Sequence, residues 1–318
     1  MARATARLSL RGDSLAKRYR LTPQLVAANA GGPVVCLDAS ALGRSYPLHA
    51  RRPDASMLRR LTAAPRLDMP GRVVAPTTDV APSVVRVDVL GPIEQRAGYH
   101  DPCGGWSDGH DAIAERLTAA FEESDVLLAM DSPGGAYAGL FEGIKRAHAA
   151  KLVSGRRVTG YIDETCASAA YAWAAVLCDE IYGPESMLVG SIGARSSWCG
   201  EAGALEQAGL VVEHFAWPPG KVAMASEKPL SDLGRARGER DVTLAGEAFA
   251  AAVERARGAR GLTRKAILRL DADCLSGGAA LDAGLVDGVA SLDEVIALAL
   301  AGAERNERRT VAAHTGGR

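Results

Sequence analysis

The chain has 318 residues, 47% hydrophobic and only 5% aromatic, enough for one large α/β core or two small ones filled mainly by aliphatic and alanine side chains. A net charge of −1 gives no ground for binding nucleic acid or an anionic membrane. The cysteines (Cys36, Cys103, Cys166, Cys178, Cys199 and Cys274) form neither a CxxC pair nor a metal-ligand spacing, which reads as thiols of a reducing compartment.

Residues 1–80 differ from the rest: arginine pairs (Arg51-Arg52, Arg59-Arg60), scattered prolines and one short strand candidate at 33–37. We expect an N-terminal arm here, joined by a linker at 75–82. From Val84 the pattern is regular. The sequence predicts a strand at 84–90, a helix at 111–122 with Ile113, Leu117, Ala120 and Phe121 on one face, and a buried strand at 126–130 entering Asp131-Ser132-Pro133-Gly134-Gly135. A helix at 139–150, a strand at 157–162, a helix from Ser168 to Leu177 and a strand at 180–182 follow. Next come a strand at 210–216, a long helix at 231–257, short helices at 261–270 and 277–283, and a last helix at 292–301. Residues 302–318 read as a frayed tail, leaving 81–301 as the main domain. Strands alternating with helices of this size predict an α/β layered domain with a mainly parallel sheet. No run of about 18 apolar residues occurs and Met1 leads into no apolar leader, so a soluble cytoplasmic protein is expected.

Ser168 lies among alanines in Cys166-Ala167-Ser168-Ala169-Ala170-Tyr171, where a polar residue has little purpose unless its hydroxyl is used. Backbone N–H groups of a Gly-Gly turn after an apolar strand can face a developing oxyanion. Lysine is scarce: Lys17, Lys145, Lys151, Lys221, Lys228 and Lys265 are the whole set. Lys221, beside Gly220, is placed to lose its hydration and act as a neutral base, which arginine cannot do. A Ser-Lys hydrolase is the chemistry these residues suggest.

The series Gly91-Pro92-Ile93, Asp131-Ser132-Pro133-Gly134-Gly135, Ala167-Ser168-Ala169-Ala170-Tyr171, Gly190-Ser191-Ile192-Gly193 and Gly220-Lys221, followed by Pro229-Leu230-Ser231-Asp232, resembles the signal peptide peptidase A family of Ser-Lys peptidases. Its phage head-maturation (prohead protease) branch is the most similar. The resemblance covers about residues 84–300 and implies the Clp/crotonase fold, a spiral of β-β-α units. It implies Ser168 as nucleophile, Lys221 as general base and Ser191 as the hydroxyl that orients the lysine. Gly135, with Gly134, and the Ala169 N–H are implied as the oxyanion hole. The implied reaction needs no cofactor and no metal: Lys221 takes the Ser168 proton as Oγ attacks a peptide carbonyl, and an acyl-enzyme is then released by water. Implied partners are polypeptides, namely scaffold, capsid or portal proteins of a phage, and further copies of this chain in a homo-oligomer; no nucleic acid and no membrane are expected. The segment from Ser168 to Ile181 is about one residue longer than the usual family pattern, and Gly193 is followed by Ala194-Arg195 where many relatives continue with apolar residues. Cellular members usually carry an N-terminal membrane anchor, and the lack of one here points to the phage branch.

Other readings compete. Ser168 can instead cap a helix, and Ser132, before Pro133, suits a turn better than catalysis. Lys228 sits in a polar run and Lys265 on an amphipathic helix. A Ser-His-Asp triad would need His214 or His314; His100 and His110, with Asp101 and Asp108, read as exposed loop residues with a weak metal-site pattern. Beyond the phage protease, a soluble signal-peptide-degrading or housekeeping peptidase, a non-proteolytic capsid assembly protein, and a crotonase-like acyl-CoA enzyme are the alternatives.

Overall fold

A computed structural model of the chain describes residues 35–37, 67–69, 72–73, 84–99 and 106–315. The linker expected at 75–82, His100, Asp101 and Cys103 lie outside these residues. Of the strand expected at 33–37, Val35–Leu37 is described, as β1.

The centre is a parallel sheet. Strands β4 (Val84–Leu90), β8 (Asp125–Ser132) and β10 (Val158–Ala167) run side by side, with β8 in the middle. Val126, Leu127, Leu128, Ala129 and Met130 are all buried, as expected of a parallel strand covered on both faces. The far side of β10 is shared by two parallel strands: β11 (Glu180–Gly183) pairs with its first half and β12 (Leu188–Gly190) with its last three residues. Between the halves β10 shifts register on its β8 side, where exposed Asp163 and Glu164 leave the ladder and the Thr165 N–H donates to Asp131 Oδ1 at 3.2 Å. Edge strands β13 (Cys274–Leu275) and β14 (Gly288–Val289) close the sheet.

Strands of the main sheet turn into a second, smaller sheet before their helix. After β4 come β5 (Ile93–Glu94), β6 (Gly98–Tyr99), β7 (Trp106–Gly109) and helix α1 (His110–Glu123). After β8 come β9 (Gly134–Ala136) and α2 (Leu140–Ser154). β5, β7 and β9 meet in the small sheet, and β1 pairs antiparallel with β9. This repeated β-β-α unit is the Clp/crotonase-like architecture expected from the sequence. The third unit lacks the small-sheet strand: β10 passes through Ser168 directly into α3 (Ala169–Leu177).

Helix α3 is alanine-rich and buried along nearly its whole length, which lets its backbone approach the sheet closely. Helix α5 (Asp232–Arg257) is capped by Ser231, whose Oγ accepts the Gly234 N–H at 3.0 Å, as the serine–aspartate start of the predicted helix requires. Its last turn brings Arg257 into the core, where the guanidinium donates to Asp287 Oδ2 (2.8 Å) and to Gly284 O. Helices α6 (Arg264–Leu270) and α7 (Gly277–Asp282) match expectation closely.

Two expectations are corrected. The apolar run 210–216 is not a strand: it is irregular, with Leu210, Val211, Val212 and Phe215 exposed. Its composition favours extended backbone, but it pairs with no strand of the described sheets. The last helix, α8, runs Leu292–Thr315 rather than ending at Ala301, because Asn306 continues its packing through bonds to Asp125 Oδ1 (3.0 Å) and Gly155 O (3.2 Å).

Candidate active site

Ser168 occupies a sharp corner between strand and helix. Its backbone is at φ 54°, ψ −123°, a region few non-glycine residues enter and one that costs about 1–3 kcal/mol. The corner is held on both sides: the Ser168 N–H donates to Gly190 O (2.9 Å) and the Ala172 N–H to Ser168 O (3.1 Å). Ser168 is 1% exposed, and its Oγ has no hydrogen-bond partner. The side chain does not cap α3, so the alternative reading as a helix cap fails. A buried, unpartnered hydroxyl on a strained corner is a cost to folding, which makes Ser168 a candidate functional residue.

The Gly-Gly turn lies against this corner. A Cβ on Gly134 would stand 2.7 Å from Ser168 Cβ and from the Ala169 nitrogen, and one on Gly135 would stand 1.8 Å from Ile93 O. Only glycine fits at either position, and Gly134 also has φ 92°. Gly134 N–H donates to Ser132 Oγ (3.1 Å), and Ser132 in turn donates to Gly91 O (2.6 Å). Ser132 therefore braces the turn. Ala169 is the first residue of α3, so its N–H is one of the helix's unpaired N-terminal donors and points where anions are favoured.

Ser191 follows β12, one residue after the Ala167–Gly190 pair, which sets it beside Ser168. It too has positive φ (52°) and is 7% exposed, held by its N–H donating to Asp273 O at 3.0 Å.

Lys221 stands apart. It is exposed on a 3₁₀ turn, Pro219–Val222, and its ammonium is not within hydrogen-bond distance of Ser168 Oγ. Internal bonds order the surrounding segment: Trp198 Nε1–H to Met224 O (3.0 Å), Ser231 Oγ–H to Ala223 O (2.8 Å), and Arg237 to Gly220 O. His214 is in this segment as well, 3.5 Å from Glu227, and does not bond to Ser168. His314 is in the last turn of α8. Lys265 is in the first turn of α6 and Lys228 in a turn before α5.

His110 corrects its reading as an exposed loop residue. It is fully buried at the start of α1, between Trp173 and Ala136. Among the described residues no cluster of His, Cys, Asp or Glu could hold a metal ion. Cys166 and Cys178 are buried free thiols, and burial pushes the Cys178 thiol up to about 12. No described helix is long and apolar enough to cross a membrane.

Three comparisons bear on this geometry. The model of Peptidase family S49 matches residues 150–305, the stretch that holds Ser168, Ser191 and Lys221. The head-tail preconnector protein GP5 of Enterobacteria phage P21 is 27% identical over 232 residues, which are 72% of this chain and 45% of that protein. The chain thus spans under half the length of this curated relative. Among solved structures, a point mutant of ClpP1 from Listeria monocytogenes superimposes with a TM-score of 0.40 at 14% identity, over 66% of this chain and 93% of that one.

Proposed function

We propose that this chain, which shares the peptidase family S49 region over residues 150–305, is a serine endopeptidase working through a Ser168–Lys221 dyad. The observation that carries the reading is the buried, unpartnered Ser168 hydroxyl on a strained corner against Gly134 and Gly135. Ser168 Oγ attacks a peptide carbonyl, the Gly135 and Ala169 N–H groups receive the oxyanion, and neutral Lys221, oriented by Ser191, takes the proton and returns it to the leaving amine. Gly134 shapes the turn, since its N–H is already bonded to Ser132.

The dyad requires segment 194–231 to repack so that Lys221 loses water and reaches Ser168. Assembly of several copies, which would cover the exposed apolar run before Lys221, supplies a reason for it to do so. Substrate would add as an extended strand along β9 in the place of the chain's own Val35–Leu37, whose antiparallel pairing there supports the capacity of β9 to accept one. Similarity to a phage head-tail preconnector protein supports phage scaffold, capsid or portal proteins as substrates during head maturation, in the bacterial cytoplasm.

One observation favours a second reading. With no base on Ser168, the chain also fits a capsid assembly protein that keeps the fold without cleaving. Coexpression with the neighbouring capsid and scaffold genes decides between them by intact mass. The dyad predicts a defined cleavage in wild type that is abolished by Ser168→Ala and by Lys221→Ala. Cleavage that persists in Ser168→Ala removes the nucleophile assignment, and no cleavage in folded wild type favours the assembly reading.

A further inference from the structure

We propose that His110 is a positioning residue of the oxyanion hole, a neutral imidazole that ties the Gly135 strand to the Ala169 helix. The inference rests on the peptidase reading above and assigns a residue that no motif of the series contains.

The imidazole is wholly buried and makes two hydrogen bonds to two different elements. Trp173 Nε1 lies 3.0 Å from His110 Nδ1, and His110 Nε2 lies 2.7 Å from Ala136 O. An indole N–H only donates and a carbonyl oxygen only accepts, so Nδ1 is bare and Nε2 carries the proton. That one neutral tautomer satisfies both neighbours; no other protonation state does. The two rings lie near one plane, with centroids 6.2 Å apart and planes 23° from parallel, as a hydrogen bond between their edges requires.

What the two bonds join gives them meaning. Ala136 directly follows Gly135 in β9, and Trp173 is on α3, the helix whose first residue is Ala169. His110 therefore spans the two donors that must converge on one oxyanion. Its own place is fixed from below. Asp108 on β7 accepts from the Gly109 N–H (2.8 Å) and from Arg116 Nη1 (3.0 Å), and Arg116 Nη2 donates to Asp88 O of β4 (3.0 Å). Helix α2 leaves room through Gly143, where a Cβ would stand 2.9 Å from Trp173 Cζ2 and 2.8 Å from His110 O. The imidazole does not touch Ser168 Oγ, so its action is through geometry.

Protonation at Nδ1 would set N–H against N–H at Trp173 and bury a charge. The charged groups facing the ring are Asp108 on β7, already paired with Arg116, and Asp111 on α1; β9, α2 and α3 bring Ala136, Gly143 and Trp173, none titratable. Burial pushes the imidazole below its ordinary value, outweighing the opposite pull of the Ala136 bond and of the two aspartates. The tether is then intact at neutral pH and lost as the pH falls through this lowered value.

The test uses the full chain with its cleavable substrate. Trp173→Phe removes the indole donor but keeps a ring, His110→Leu removes both bonds, and His110→Gln retains an amide that can serve Ala136 O. The expected result is a kcat about 10- to 100-fold lower in Trp173→Phe and His110→Leu with KM within about twofold. His110→Gln should recover part of the loss, and the gap between wild type and Trp173→Phe should narrow in acid, where protonation breaks the same bond in wild type. In parallel, nitrogen NMR of histidine-labelled Ser168→Ala protein should show an Nε2–H imidazole that stays neutral through the pH at which an unperturbed histidine takes up its proton. Loss of kcat only in step with loss of folded protein, a gap to Trp173→Phe that does not narrow in acid, or an imidazole titrating near its ordinary value overturns the tether. Wild type without Ser168-dependent cleavage overturns the peptidase reading, and with it the catalytic meaning of a tether that NMR can still detect.

Discussion

The two members of the proposed dyad lie in regions built on opposite principles. Around Ser168 the chain is buried and over-determined: a parallel strand, a strained corner and an alanine helix leave no freedom at the hydroxyl. Around Lys221 the chain is mostly irregular, and Val211, Phe215 and Trp217 are 88%, 92% and 89% exposed. The core supplies the packing that holds positive φ at Ser168, whereas segment 194–231 is held chiefly by a few hydrogen bonds at its own ends. One region stores strain for chemistry, and the other can change its contacts without unfolding the domain.

The rigid side can be broken directly. Gly135→Ala puts a methyl group onto Ile93 O, and neither strand can retreat because β5 and β9 are paired there. It should cost more than about 3 kcal/mol, read as a large fall in denaturant midpoint or as insoluble protein. Arg257→Ala removes the buried cation that meets half-buried Asp287 and should cost about 3–5 kcal/mol by the same measurement. Burial alone would raise the Asp287 carboxyl, but its bonds to Arg257, the Ile181 N–H and Arg260 hold it below its ordinary value. Its contribution is therefore complete above the unfolded carboxylate value and lost as pH falls through the lowered folded one. The Arg257→Ala deficit should narrow in acid.

Ser168→Gly tests the stored strain and is the one substitution at the corner expected to stabilise. Glycine enters φ 54° without the steric cost of a Cβ, so unfolding free energy should rise by about 1 kcal/mol while cleavage disappears. A loss of stability would mean that the serine side chain contributes to packing and that the corner is unstrained.

Much of the rigid region was legible because its signals are local and repeated. Val126 to Met130 reads as a buried strand from composition, and Gly134-Gly135 marks a turn where no side chain fits. Order and spacing of five motifs led to Ser168, Ser191 and Lys221 together; the fold sets the two serines side by side and leaves the lysine outside. His110 was misread because burial of a lone histidine depends on Trp173, far along the chain, and no periodicity announces that meeting. The run 210–216 was misread for the converse reason. Its apolar residues favour a strand, but a strand also needs a partner, and which segments pair is decided by the whole sheet.

The smallest expected effect on stability is also the most informative about that run. Replacing Phe215 and Trp217 together by serine removes two large apolar side chains that contribute almost no packing in this structure, so the unfolding free energy should change by no more than about 0.5 kcal/mol. Cleavage should fall nonetheless, because repacking this segment is what delivers Lys221, and the double variant should assemble more weakly in sedimentation. A drop in stability of several kcal/mol would mean that the run is packed within the folded chain and that Lys221 already has its working position. Full activity with unchanged stability would separate the lysine from the run altogether, and the movement that delivers Lys221 would then lie within the Pro219–Val222 turn itself.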